Sequence, residues 1–569
     1  MPLPSRFGSL ASATMFLSGL LGSAASAQFF GHNRTIDFVP PLPFTGPDLR
    51  TPGLRGVGGD WDGDGLADIA VHYPHGCGYT GSSAVWLGGR LRIYSGFDST
   101  LLHEWIGGGP IPPNCNAENV GMGADFADLD GDGHLDVLLG VPESSLGGLL
   151  NAGRVDAISG ATGLLLYSIL GEALGDNFGT VVVVAGDTSG NAVPDYLVAA
   201  PGADHPLQVN AGAVYLFEGL DGSLRHKFLG ATPGELEGFW MAGLGDIDID
   251  GVGDLAIARP RFNSWTGKVT LYSGLNVPAV IREHVGTQLG WRFGGGALFS
   301  PGDVDGDTVP DYVLSSAGWG VAFPSPGVVA PGESWLYSGL SGGLLTTFTG
   351  PPGTAFLGAV GDAVDDLDGD GANDLVLSAS CSPLVVCGFG TLFIFSSATG
   401  AILQEIPSPI TSGTISFGLG LRQVGDVDGD GRVDIAAGRH QGPLFVFTRE
   451  IVSASPSPAP LGSTVVFDVE VPSQPFGTFH LYLAEAATTG IAVGTRSFPL
   501  DFGPVLLATA QDFSFGGMLD SSGKAQVSVA VPPDPALAGM TVYYAAATFD
   551  PTWPYGVRTI GNARTLALQ

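Results

Sequence analysis

Aspartates recur along this chain in a pattern suited to one kind of chemistry, the capture of a hard divalent cation. The nonamer DWDGDGLAD begins at Asp60, and related nonamers begin at Asp128, Asp187, Asp246, Asp303, Asp366 and Asp426. Positions 1, 3, 5 and 9 place Asp60, Asp62, Asp64 and Asp68 in the first loop and Asp128, Asp130, Asp132 and Asp136 in the second. The fourth has Asp246, Asp248, Asp250 and Asp254, and the fifth Asp303, Asp305, Asp307 and Asp311. The sixth has Asp366, Asp368, Asp370 and Asp374, and the seventh Asp426, Asp428, Asp430 and Asp434. The third departs, offering Asp187, Ser189, Asn191 and Asp195. Oxygen donors at this density suit Ca2+, which takes about 6–8 of them at ~2.3–2.6 Å, with a carbonyl expected from position 7. Gly65, Gly133, Gly251, Gly371 and Gly431 hold position 6, where a sharp turn is easiest without a Cβ.

Two other readings of the loops fail. An EF-hand needs a bidentate glutamate at position 12. Position 12 here is Val71, Leu139, Val198, Ile257, Leu314, Leu377 or Ala437. Simple turn capping by Asp explains one carboxylate per turn, but not three or four that would repel one another. The loops hold 26 of the 55 acidic residues, so up to seven bound ions would relieve much of the self-repulsion. The expected role is structural, since Ca2+ saturated with protein oxygens leaves little room for substrate. The third loop is expected to bind most weakly.

The spacing of the loops defines the elements that must position them. Successive nonamers lie 68, 59, 59, 57, 63 and 60 residues apart. Each is followed by an apolar run such as Ile69-Ala70-Val71 or Val137-Leu138-Leu139, then a second run such as Val214-Tyr215-Leu216-Phe217. A Gly-containing turn and a last run complete the unit, giving four short strands and no helical period. Runs apolar on both sides imply sheets covered on both faces. Seven such units describe an all-β, seven-bladed β-propeller; the rungs of a linear solenoid, the runner-up, are usually much shorter. The seventh unit lacks its last strand, and an open edge invites association. The segment around Ile36–Val39 is expected to fill that place.

These features resemble the FG-GAP repeats of the integrin α-subunit N-terminal propeller over roughly residues 50–450. The D-x-D-x-D-G-x-x-D core carries the resemblance, with Phe-Gly pairs at 178–179, 293–294 and 417–418. It implies that the Ca2+ ligands are the side chains at positions 1, 3, 5 and 9. The spacing leaves no room for an inserted adhesion domain.

The N-terminus reads as an export signal over 1–27, with one basic residue, an apolar run around Met15–Leu21 and Ala25-Ser26-Ala27 before the cut. The propeller is expected over 28–452, a linker over 453–458 and a β-sandwich of immunoglobulin-like type over 459–569. The expected setting is secreted or the extracellular surface, without a transmembrane segment. Four cysteines suit an oxidising compartment and are expected to pair as Cys77–Cys115 and Cys381–Cys387; a zinc site is the alternative. A formal net charge of −33 argues against nucleic acid, whose partners carry basic patches.

Loops on the face opposite the carboxylates gather His72, His75, Tyr79, His205, Arg259, Arg261, Trp265, Trp319, Arg439 and His440. With only 22 basic residues in the chain, that gathering marks a candidate recognition surface, although loops also collect such residues for local packing. No H-E-x-x-H motif is present, and without a helical period there is no strand-to-helix turn for a G-x-S-x-G nucleophile elbow or a phosphate loop. The chain therefore reads as a calcium-binding adhesion or recognition module for an extracellular protein or glycan. The alternative is an extracellular hydrolase or lyase with its active site on that opposite face.

Overall fold

The computed structural model describes residues 30–36, 53–106, 119–317, 331–379, 390–409, 417–438, 444–471, 478–484, 491–498, 515–549, 557–560 and 564–567, less a few within these ranges. Seven four-stranded antiparallel sheets account for the repeats, and they form a seven-bladed β-propeller. In the second blade the strands run Ala124–Ala127, Asp136–Val141, Arg154–Ile158 and Leu165–Leu170, from the inner strand outward. The first blade carries an extra hairpin, Gly76–Thr80 with Ser83–Leu87, between its second and third strands. That insertion accounts for its longer repeat.

The second strand of each blade is the most deeply buried, as its two-sided apolar pattern requires. In the third blade Asp195–Ala200 is buried throughout. Tyr196 and Val198 join a core with Leu138, Val155 and Ala157 of blade two, while Leu197 and Ala199 join Leu255 and Ile257 of blade four. Alternate side chains thus face opposite neighbours, and each fully buried aliphatic or aromatic one contributes about 1.5–3 kcal/mol. Ile69 and Val71 of blade one likewise share a core with Ala436, Leu444 and Val446 of blade seven.

The last blade closes with the N-terminal strand. Phe30–Ile36 pairs with Leu444–Arg449 as the outer strand of a sheet completed by Asp434–Gly438 and Gly420–Gly425. The described closing strand begins earlier than the segment expected around Ile36–Val39 and shares Ile36 with it, while residues 37–39 lie outside the described residues.

A second compact unit consists chiefly of residues 449–569. A three-stranded sheet (Val452–Ser455, Thr464–Glu470, Lys524–Ala530) and a five-stranded sheet built on Thr478–Ala484 and Thr541–Phe549 contribute to one core, with Phe467 and Val527 from the first and Leu481 and Tyr544 from the second. Ser453, Ala454 and Ser455, expected in a linker, instead pair with Asp468, Phe467 and Val466. Among the described residues no helix is long and apolar enough to cross a membrane.

Candidate metal centres and the opposite face

Each carboxylate loop joins the inner strand of a blade to its second strand, and its aspartates hold it from within. The position-1 aspartate accepts the amide of position 6: Gly65 to Asp60 at 2.8 Å, Gly133 to Asp128 at 3.0 Å and Gly371 to Asp366 at 2.9 Å. That turn needs a left-handed residue at position 6, and Ala192 (φ 67°) and Thr308 (φ 74°) adopt it even without glycine.

Position 9 has a different task. Its aspartate is fully buried in all seven loops. One oxygen accepts the amide of position 2, as in Leu129 to Asp136 at 2.8 Å and Val427 to Asp434 at 3.0 Å. The other reaches across the blade to the amide just beyond the third strand: Gly96 to Asp68 at 2.8 Å, Gly160 to Asp136 at 2.9 Å and Gly274 to Asp254 at 3.0 Å. In blade two that position is tight, since a Cβ on Gly160 would stand 2.0 Å from the Leu135 carbonyl oxygen, whereas in blade six Ser397 donates the corresponding amide to Asp374 at 3.2 Å.

At least five loops bring three carboxylates together. The sets are Asp60, Asp62 and Asp68; Asp128, Asp130 and Asp136; Asp303, Asp305 and Asp311; Asp366, Asp368 and Asp374; and Asp246, Asp248 and Asp250. Within each set one oxygen per residue lies within 4.8 Å of the others. Oxygens at ~2.3–2.6 Å from a common ion can be no more than ~5 Å apart, so these residues fit a calcium ion. Burial, reinforced by Asp62 and Asp64, pushes Asp68 up to about 7 in the absence of an ion. The same causes take Asp254 to about 7 and Asp374 to about 6. Carboxylates crowded in this way gain from a cation that neutralises them.

The third loop is built otherwise. Arg225 donates from Nη1 to Thr188 Oγ1 at 2.5 Å and to Asp195 Oδ2 at 3.3 Å. Its Nε lies 3.0 Å from Glu218 Oε1. Neither residue was singled out in the sequence, yet a signal was present. The residue before the glycine after strand three is Ser95, Ser159, Ser273 or Ser338 elsewhere, and Glu218 here.

On the opposite face the structure gathers only part of the expected set. Arg259 ends the second strand of blade four, 3.6 Å from Glu235 and 3.4 Å from the Tyr272 hydroxyl. Trp265 lies between two guanidinium groups, Arg261 at 4.8 Å and Arg292 at 4.0 Å from its ring centre. Asn263, Ser264 and Trp265 are consecutive left-handed residues, as is Arg292, whose amide donates to the Trp265 carbonyl at 2.9 Å. Arg292 was not foreseen because it lies 27 residues beyond Trp265 in the chain. His72, expected on this face, is instead a core residue of its strand with 2% exposure. Tyr79 lies in the extra hairpin, with only its backbone described. His75, His205, Trp319, Arg439 and His440 lie outside the described residues, as do Cys115, Cys381, Cys387 and the 1–27 segment.

No family model matches the chain. Mouse integrin alpha-2 is 26% identical over 215 residues, 35% of this chain and 18% of that protein. Human integrin alpha-8 is 28% identical over 225 residues, 37% of this chain and 20% of that protein. Bovine phosphatidylinositol-glycan-specific phospholipase D is 32% identical over 156 residues, 24% of this chain and 18% of that protein. The chain thus spans about a fifth of the length of these relatives. Together with the seven blades and their carboxylate loops, these likenesses identify the first unit as an integrin-α-like propeller.

Proposed function

We propose that the chain is a secreted, calcium-stabilised recognition module that binds an extracellular protein or glycan through the face opposite its metal loops. Residues 28–452 form the propeller in this reading, and the C-terminal β-sandwich is an appended module. Calcium holds the loops and takes no part in bond making. The observation that carries the reading is the division of labour between the two faces. One face repeats carboxylate cages that lock the hairpins. The other presents Trp265 between Arg261 and Arg292, on a left-handed turn that a folded scaffold must hold in place. Aromatic and arginine side chains are the usual anchors of recognition surfaces. The integrin likeness supports an adhesion-type role.

An array of extracellular-matrix proteins and glycans, probed with the full chain in Ca2+ and in EGTA, tests this reading. A ligand captured in Ca2+, lost in EGTA and weakened at least tenfold by Trp265→Ala is the expected result. Capture indifferent to both treatments, or no capture at all, would sink it.

A further inference from the structure

We propose that the third blade takes no calcium ion and carries its own cation, the Arg225 guanidinium. The inference rests on the reading that the other loops bind calcium. Its ground is a coordinated set of departures in one blade. Ser189 and Asn191 replace the carboxylates at positions 3 and 5. Glu218 stands where blades one, two, four, five and six have serine and blade seven has Thr448.

Arg225 stands at a bulge. The third and fourth strands of blades one to six shift register by one residue, and the residue passed over in blade three is Arg225, between Leu224 and His226. The corresponding residues are Leu102, Leu166, Ile281, Leu345 and Leu403 in blades one, two, four, five and six. Among these six blades an aliphatic position has therefore become cationic only where the loop has lost two carboxylates.

The guanidinium is fully engaged. Beyond Thr188, Asp195 and Glu218, its Nη2 donates to the Gly274 carbonyl of blade four at 3.1 Å. Asp195 Oδ2 accepts three donors: the Thr188 amide at 3.0 Å, the Thr188 hydroxyl at 2.6 Å and Arg225 Nη1 at 3.3 Å. Asp195 Oδ1 takes the Gly219 amide at 3.0 Å. Glu218 is itself engaged by these cationic and amide groups: Arg225 Nε lies 3.0 Å from one of its oxygens and Asn191 Nδ2 donates to the other at 3.2 Å. Arginine does not lose its proton in a protein, so an ion at Asp195 would always face a fixed positive charge.

Native mass spectrometry of the full chain in Ca2+ counts the bound ions. Asp128→Asn should remove one ion, and Asp187→Asn should remove none. Ser189→Asp with Asn191→Asp should add none while Arg225 stays. Adding Glu218→Ser and Arg225→Leu to that pair should add one. Loss of an ion on Asp187→Asn, or a gain with Arg225 in place, overturns the proposal. So does a folded fourfold variant with no extra ion; if that variant does not fold, the Asp187→Asn and Asp128→Asn pair decides alone. A wild-type chain with no ion defeats the calcium reading itself, and the contrast between blades falls with it.

Discussion

Asp311 Oδ1 accepts the amide of Gly339 at 2.9 Å, 28 residues along the chain. The other oxygen of the same carboxylate accepts the amide of Val304 at 2.8 Å. One buried side chain therefore ties the metal loop to the hairpin at the far side of its blade, with or without an ion. Leaving a buried amide unpaired costs about 1–3 kcal/mol. Asp311→Ala should lower the melting temperature in EGTA as well as in Ca2+. Asp305→Ala, which removes an exposed member of the same cage, should act mainly in Ca2+. Thermal melts of both variants under both conditions check the distinction.

Chelation should destabilise the propeller. A ligand bound only by the folded state stabilises it in proportion to the logarithm of its concentration. The melting temperature should rise steadily as Ca2+ is titrated from micromolar to millimolar, and Mg2+, which demands tighter octahedral geometry, should do less. A melting temperature indifferent to EGTA would refute the metal assignment.

Removal of residues 28–45 takes away the strand Phe30–Ile36 and exposes the edge of Leu444–Arg449. Lower thermal stability and a shift to higher-mass species on size-exclusion chromatography are expected, because an unpaired edge recruits other strands. An unchanged monomer with an unchanged melt would show that the ring does not depend on this closure.

His284 supplies an acid-sensitive term. Burial, with help from Arg282, holds its imidazole down to about 4, and its Nε2 lies 2.8 Å from the Tyr312 hydroxyl. The unfolded chain takes up this proton near pH ~6.5. Between pH ~6.5 and 4 the unfolded state therefore binds more protons, and stability falls as pH drops through that window. In Ca2+, His284→Phe should lose less melting temperature between pH 7.5 and 5 than the wild type. An equal loss in both would remove His284 as the source.

The sequence by itself determined the repeat, the strand count and the clustering of carboxylates in each loop. Carboxylates spaced by one residue in a glycine-rich turn are local, and so are strands apolar on both faces, so both are legible without a third dimension. It also determined that the seventh unit was short of a strand. The partners of these local features were decided only by the tertiary structure. Asp68 meets Gly96, Trp265 meets Arg292, and Arg225 meets Asp195 across 28, 27 and 30 residues. His72 faces the core because strand alternation and the neighbouring blade, rather than its polarity, set its direction. Hydropathy and turn propensity act over a few residues, whereas charge pairing and burial depend on which blades stand side by side, and that is fixed only when the ring closes.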